Sequence, residues 1–276
     1  MTLVVRSIRM VIVEKSELLR VEKLTKLFGG ITALTDYDIT IQSGELVGLI
    51  GPNGAGKTTV FNLLSGVLKP TSGRILFNSH NISSSRPDQN AALGLARTFQ
   101  NIRLFHGLSV IDNIKAAFHM HLGKGFWHTF FHTSAFRRSE HLMTQKVHEF
   151  IELLDLRDAQ HEPAENLPYG VQRRVEIARA MAASPKLLLL DEPAAGMNPH
   201  ESEHLIEIIR RIHDNYQLTI FLVEHDMKVV MALCQRIQVL DRGTTLLIGT
   251  PQEIRNHPEV IEAYLGKPKG RHHASN

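Results

Sequence analysis

The chain has one cysteine and one tryptophan in 276 residues. A lone Cys234 cannot form an internal disulfide, which fits a chain held together by its core in a reducing cytoplasm. Long apolar runs are also missing. Uninterrupted stretches such as Leu187 to Leu190 fall far below the ~18 residues that a membrane-spanning helix needs. A hydrophobic fraction of 43% and a mean hydropathy of −0.10 belong to a water-soluble globular chain. Charge of one sign is scarce as well. The net charge is +3 and the pI about 9.0, with Lys and Arg scattered along the chain. The exception is the tail "GKPKGRHHASN", whose residues 266–276 read as a disordered basic end. Without a concentrated basic face, nucleic acid is excluded as a partner. No repeat of fixed period is present.

Two further features point away from chemistry. The opening "MTLVVRSIRMVIVEK" is apolar and basic, but Arg6 and Arg9 interrupt it and no small-residue cleavage site follows. A true start at Met10 is the better reading, and an amphipathic surface segment the weaker one. Residues 1–17 are therefore taken as an N-terminal extension. Sixteen histidines raise the question of a metal, most sharply at His119, His121, His128 and His132. No carboxylate or cysteine joins them at ligand spacing, and Phe and Trp lie between them, so they read as packing or solvated residues.

What is present has a clear order. The first hundred residues alternate β-rich runs with Gly turns, such as "LLRVEKLTKLFG", "ALTDYDITIQSG" and "ELVGLIG". From about 106 to 165 the texture becomes helical. "LSVIDNIKAAF" opens with Ser109 and Asp112 as a capping box, and "MTQKVHEFIELLDL" sets Met143, Val147, Phe150, Ile151 and Leu154 on one face. The aromatic stretch between them reads equally as core or as contact surface. After 185, "KLLLLDEP" suits a strand buried on both faces. "NPHESEHLIEIIRRIH" is a helix with Asn198 at its N-cap, Pro199 next and Glu201 at N3. "LTIFLVEH" is a further buried strand, and "RIQVLDRGTTLLIGT" a hairpin about Asp-Arg-Gly.

"GPNGAGKTT", residues 51–59, follows the apolar strand "LVGLI" and fits G-x-x-x-x-G-K-[ST]. Backbone amides of such a loop at a helix N-terminus form an anion cradle. Gly51, Asn53, Gly54, Gly56 and Thr59 belong to that cradle. Lys57 would reach the terminal phosphates and Thr58 would ligate Mg²⁺. At the end of "LLLLDEP", Asp191 would hold Mg²⁺ through water and Glu192 would polarise a water for in-line attack on the γ-phosphate. These residues alone leave a small kinase or a GTPase open.

The stretch "LPYGVQRRVEIARA" upstream of "LLLLDEP" resembles the signature motif of ABC ATPases, commonly Leu-Ser-Gly-Gly-Gln, over Leu167, Pro168, Tyr169, Gly170, Val171 and Gln172. The chain is similar to an ABC transporter ATP-binding subunit over roughly residues 18–265. The resemblance implies an α/β P-loop NTPase core with an antiparallel β subdomain and an inserted helical subdomain at about 101–180. It places Phe28 where an aromatic stacks on adenine. Gln100 falls at the Q-loop position, sensing the site and its metal. Gly196, Met197 and Asn198 stand in the D-loop, with Asn where many members have Asp. His225 is the switch histidine. It also implies two ATPases that sandwich ATP head to tail, each covering the other's γ-phosphate with its signature turn.

Pro168 departs from the pattern, because proline offers neither hydroxyl nor N–H. At most the amides near Gly170 and Val171 remain as donors. The site at risk is the partner's, so a heterodimer is one expectation and a homodimer using backbone donors the plainer one. "LARTFQNIRLFHGLSVIDNI", "AFRRSE" and "IRNHPEVIEAYLG" are further similar to one of the two ATPases of branched-chain amino acid importers. That branch implies membrane permease subunits, an external solute-binding protein, and a peripheral place on the cytoplasmic face of the membrane. Related systems for urea or amides, lipopolysaccharide export, and soluble ABC ATPases remain the alternatives. Pro168-Tyr169 speaks against export, and the single cassette with a short insertion against the soluble class.

Overall fold

The computed structural model describes residues 16–121 and 134–265. The extension at 1–15, the aromatic stretch with His128 and His132, and the basic tail lie outside the described residues, as do the side chains of His119 and His121.

Two sheets organise the chain. Strands β1 (Glu17–Phe28), β2 (Ile31–Gln42), β4 (Ser72–Phe77) and β5 (His80–Asn81) form an antiparallel sheet in the order β2-β1-β4-β5. The second sheet runs β10-β9-β3-β8-β7-β6. Its strands are β3 (Leu46–Ile50), β6 (Leu95–Arg97), β7 (Leu187–Asp191), β8 (Thr219–Val223), β9 (Arg236–Asp241) and β10 (Thr244–Gly249). All of its pairs are parallel except β9–β10, which is the expected hairpin.

The four leucines of β7 show why this sheet is central. Leu188 and Leu190 pack into a core with helices α4 (Ser134–Leu153), α5 (Tyr169–Ala182) and α6 (Pro199–Tyr216). Leu187 and Leu189 pack into a second core with α1 (Lys57–Leu64) and the antiparallel sheet. A parallel strand covered on both faces has no polar side to offer, hence the unbroken run. Met143, Val147, Phe150, Ile151 and Leu154 are all buried, as their spacing predicts. Helix α3 (Val110–His121) starts at the anticipated cap, with the Asp112 amide donating to Ser109 Oγ at 3.2 Å. Helix α6 has the capping box read from its sequence, Asn198 accepting from the Glu201 amide. One short helix, α2 (Pro87–Ala92), carries no periodic pattern that announces it. The remaining helices, α7 (Met227–Leu233), α8 (Pro251–Asn256) and α9 (Pro258–Leu265), finish the core layer and the C-terminal end.

A buried polar knot joins the two sheets. The hydroxyl of Tyr37, wholly buried on β2, donates to Gln238 Oε1 on β9 at 2.8 Å. The Gln238 amide in turn donates to the Asp38 carbonyl at 3.0 Å and to Thr245 Oγ1 at 2.7 Å. Burial raises the Tyr37 phenol well above its usual range, so it stays a donor. Tyr37→Phe leaves the amide oxygen of Gln238 unpaired in the interior, and we expect a loss of about 1–3 kcal/mol of stability. Urea denaturation of the two proteins measures it.

Candidate active site

Strands β3, β7 and β8 end at one level, and the loops leaving them carry the predicted chemistry. Leu49 and Asp191 both pair with Val223 in the parallel register, so the phosphate loop, Glu192 and the segment Glu224–His225 open onto the same edge. Ligands of open α/β sheets lie beyond the carboxyl ends of the strands.

The loop from 51 to 56 is shaped by close backbone approach. Gly51 has φ of 154°, and a Cβ there would lie 2.0 Å from the Leu240 carbonyl oxygen. Gly56 takes a left-handed conformation at the N-cap of α1, where a Cβ would fall 2.8 Å from the Ala33 carbonyl. Only glycine serves at either position. The Lys57 amine crosses the loop, donating to the carbonyls of Gly51 at 2.7 Å and Pro52 at 3.1 Å. Burial lowers its pKa, opposed by the charges of Glu192 and Asp191. Asn53, Gly54 and Thr58 are exposed on the loop and the first turn of α1, while Thr59 is half-buried. Phe28 stands at the end of β1, its ring exposed and the Lys26 amine 5.1 Å from its centroid.

Across the loop, Gln100 donates from Nε2 to Glu192 Oε2 at 3.3 Å, and His225 Nδ1 lies 3.8 Å from the same oxygen. Glu192 itself is held at φ of 45°, a left-handed conformation uncommon for a side chain of its size, with its amide bonded to the Val223 carbonyl. Glu192, Gln100 and His225 are thus brought together, with Asp191 beside Glu192 at the end of β7. A buried partner of Asp191 was not foreseen: Arg97 donates to its Oδ2 at 2.8 Å, and to Asn62 and Ser65. Arg97 stands three residues before Gln100, but nothing in that spacing says that it faces a strand some ninety residues on.

The signature turn differs from the expectation in two ways. Of the Gly turn and helix start expected at 169–172 the structure has the helix start, since α5 begins at Tyr169 behind Pro168, and Gly170 lies in its first turn. A Cβ at Gly170 would meet the Glu201 carboxylate at 3.4 Å, an ordinary contact. Of the amides expected to be free, that of Val171 is already spent on the Pro168 carbonyl at 2.9 Å. Gln172 donates its amide to the same oxygen and its side chain to the Leu167 carbonyl. The donors left are therefore the amides of Tyr169 and Gly170. Leu167 is buried, Pro168 and Tyr169 are exposed, and Gly196 of the D-loop lies beside the Tyr169 ring. Met197 packs against the core, and Asn198 is taken up in capping α6.

Beneath this turn sits a second residue that sequence reasoning missed. Arg173 is wholly buried, and its guanidinium donates to the carbonyls of Phe99 and Gln100, to Glu176 Oε2 and to the Tyr169 hydroxyl, all within 3.0 Å. Glu176 also accepts from the Phe99 amide at 3.2 Å, and burial raises its pKa against the pull of Arg173. One fork therefore joins the signature helix to the backbone of the Gln100 loop. A fixed planar set of donors suits arginine and not lysine.

Comparison with known proteins fits this geometry. Residues 34–195 match the family described as ABC transporter. The chain belongs to the ABC transporter ATPases. Residues 245–269 match a second family, described as branched-chain amino acid ATP-binding cassette transporter. The chain is 45% identical over 250 residues to the high-affinity branched-chain amino acid transport ATP-binding protein LivG of Salmonella typhimurium, covering 91% of this chain and 98% of that one. It is 42% identical, over the same shares, to BraF of Pseudomonas aeruginosa. Among solved structures, the ADP conformation of the ATP-binding cassette MJ1267 superposes with a TM-score of 0.78 at 26% identity, over 91% of this chain and all of that one. The cassette is accordingly a nucleotide-binding ATPase coupled to transport, on the α/β ABC fold.

Among its described residues, no helix is long and apolar enough to cross a membrane, and no group of three or more His, Cys, Asp or Glu is placed to hold a metal ion. The buried Arg173–Glu176 pair yields a test. Arg173→Met strands the Glu176 carboxylate in the interior, and removing one partner of a buried pair costs about 3–5 kcal/mol. Glu176→Leu in the same chain should return much of that loss in a denaturation experiment.

Proposed function

We propose that this cassette powers the uptake of branched-chain amino acids, as one of two ATPases beneath a pair of membrane permease subunits. The observation that carries the reading is that one chain has the glycine cradle and the Asp191–Glu192 pair on one edge of the sheet together with an exposed start of α5 at Pro168 and Tyr169. A kinase or GTPase has no use for the third. The substrate class rests on the likeness to LivG and BraF.

The donor set suits Mg²⁺ with ATP. The Thr58 hydroxyl and the Gln100 side chain would hold the cation directly, and Asp191 through water, since Arg97 already occupies its Oδ2. When bound, the cation offsets charge on the phosphates. The rest falls to the chain itself. Loop amides and Lys57 bind phosphate, Phe28 stacks on the base, and Glu192 takes a proton from the attacking water. His225, beside Glu192, donates to the γ-phosphate. Tyr169 and Gly170 present their amides to the other cassette's nucleotide. That partner is a different ATPase, with a second copy of this chain the plainer option.

For the permease, the fold offers a groove of about 350 Å³ lined by Val67, Leu95, Phe99, Arg103, Ala117 and Arg179. Phe99 connects its wall to Gln100, so a permease helix seated there would feel the nucleotide site. The cassette would thus lie peripherally on the cytoplasmic face, with an external binding protein supplying the solute.

The test is leucine uptake by cells lacking the gene, complemented with wild type or Glu192→Gln. We expect wild type to restore uptake and the variant to leave it at the background of the deletion. Uptake that never depended on the gene would overturn the substrate class and turn attention to urea, amides or another solute. Full rescue by Glu192→Gln would move the power stroke to the partner's site.

A further inference from the structure

Glu224 has no place in the roles given above, yet no residue of the site is set more deliberately. Its side chain is 0% exposed. A buried carboxylate is costly unless hydrogen bonds replace its water, and here backbone amides from two different loops do so. Its Oε1 accepts from the Ala194 amide at 2.8 Å, two residues after Glu192 at the head of the D-loop. Its Oε2 accepts from the amides of His225 at 3.1 Å and Asp226 at 3.4 Å. The same Oε2 lies 3.7 Å from His225 Nδ1, while Glu192 Oε2 stands 3.8 Å from that nitrogen. The His225 ring is therefore placed between two carboxylates, one exposed to the site and one sealed beneath it.

We propose that Glu224 is a positioning residue that clamps the loop after β7 to the loop after β8 and so fixes His225 against Glu192. The inference rests on the assignment of those two residues under Proposed function. Chemistry restricts which side chain can do this. Both oxygens must accept, which an ionised carboxylate does and a carboxamide cannot, because one end of Gln is a donor facing donors. Aspartate, shorter by a methylene, can still cap the turn at 225 and 226 but does not reach Ala194.

The experiment is steady-state ATP hydrolysis by the full-length chain, with TNP-ATP binding measured alongside. A catalytic group displaced by ~1 Å loses on the order of a hundredfold in rate, so Glu224→Gln should lower kcat by at least about tenfold. Because the clamp acts on geometry and not on nucleotide affinity, KM and TNP-ATP affinity should stay within about twofold. In a His225→Ala chain the same substitution should have no further effect beyond about twofold, as expected of residues acting as one unit. Glu224→Asp should share the kcat loss, and it carries the test if the Gln variant does not fold.

Wild-type kcat in either variant overturns the proposal. So does an equal loss in the His225→Ala background, or a loss that appears as weakened nucleotide binding. If His225→Ala alone keeps full activity, the assignment of His225 falls and this inference with it. If His225→Ala is impaired and the effects add, only this inference falls.

Discussion

The parallel register of β3, β8 and β7 is the constraint on which the site depends. Asp191 and Leu49 both pair with Val223, so three chain segments far apart in sequence leave the sheet at one height. A slip of one residue in any of these strands would turn its side chains to the opposite face. It would also move Glu192 or His225 away from the phosphate loop. Such a slip is opposed by the packing of β7 itself, whose alternate leucines enter two separate cores. The geometry of the site is thus set by apolar burial in the strand that leads directly into it.

On that frame, two buried arginines convert packing into connection. Arg97 ties β6 and α1 to Asp191, and Arg173 ties α5 to the backbone around Gln100. Burying a guanidinium is unfavourable in itself and is worthwhile only where each donor has a fixed acceptor. Both arginines meet that condition almost fully, although each leaves its Nε without a partner. The consequence for function lies in what they join. Arg173 donates from Nη2 both to the carbonyl of Gln100, whose side chain reaches Glu192, and to the Tyr169 hydroxyl. Gln100, which touches Glu192, and the exposed start of α5 therefore share one rigid support.

Much of this was legible in the sequence, for identifiable reasons. The phosphate loop, the Asp-Glu pair after four leucines and the Asn198 cap are local patterns, in which the residue type and its spacing already contain the physics. The helical face of Met143 to Leu154 was readable for the same reason. What escaped was non-local. That Arg97 faces Asp191, that Arg173 lies inward on a helix whose next residue, Arg174, is only half-buried, and that Glu224 is sealed while Asp226 caps a helix all depend on packing between distant segments. Single charged residues carry no period, and a charged side chain is ordinarily taken for a solvated one. The signature segment was legible in part: its helix start was anticipated, while the turn suggested by Gly170 is already the first turn of α5.

The start of α5 shows how a missing group can be read in physical terms. Proline at the N-cap cannot accept or donate through its side chain, and helix α5 has no side-chain cap. Its φ of −54° and ψ of 149° nevertheless suit a residue entering a helix. The Pro168 carbonyl also gathers the amides of Val171 and Gln172, so the first turn closes without outside help. Two amides, on Tyr169 and Gly170, are left facing outward at the positive end of the helix, where an anion is favoured. A hydroxyl at 168 would have contributed one more directed bond to such an anion. What remains is a cap made of backbone alone, held in place by Arg173 through the Tyr169 ring's hydroxyl. The position of that helix start is therefore set by the buried fork of Arg173 as well as by residues 167–172 themselves.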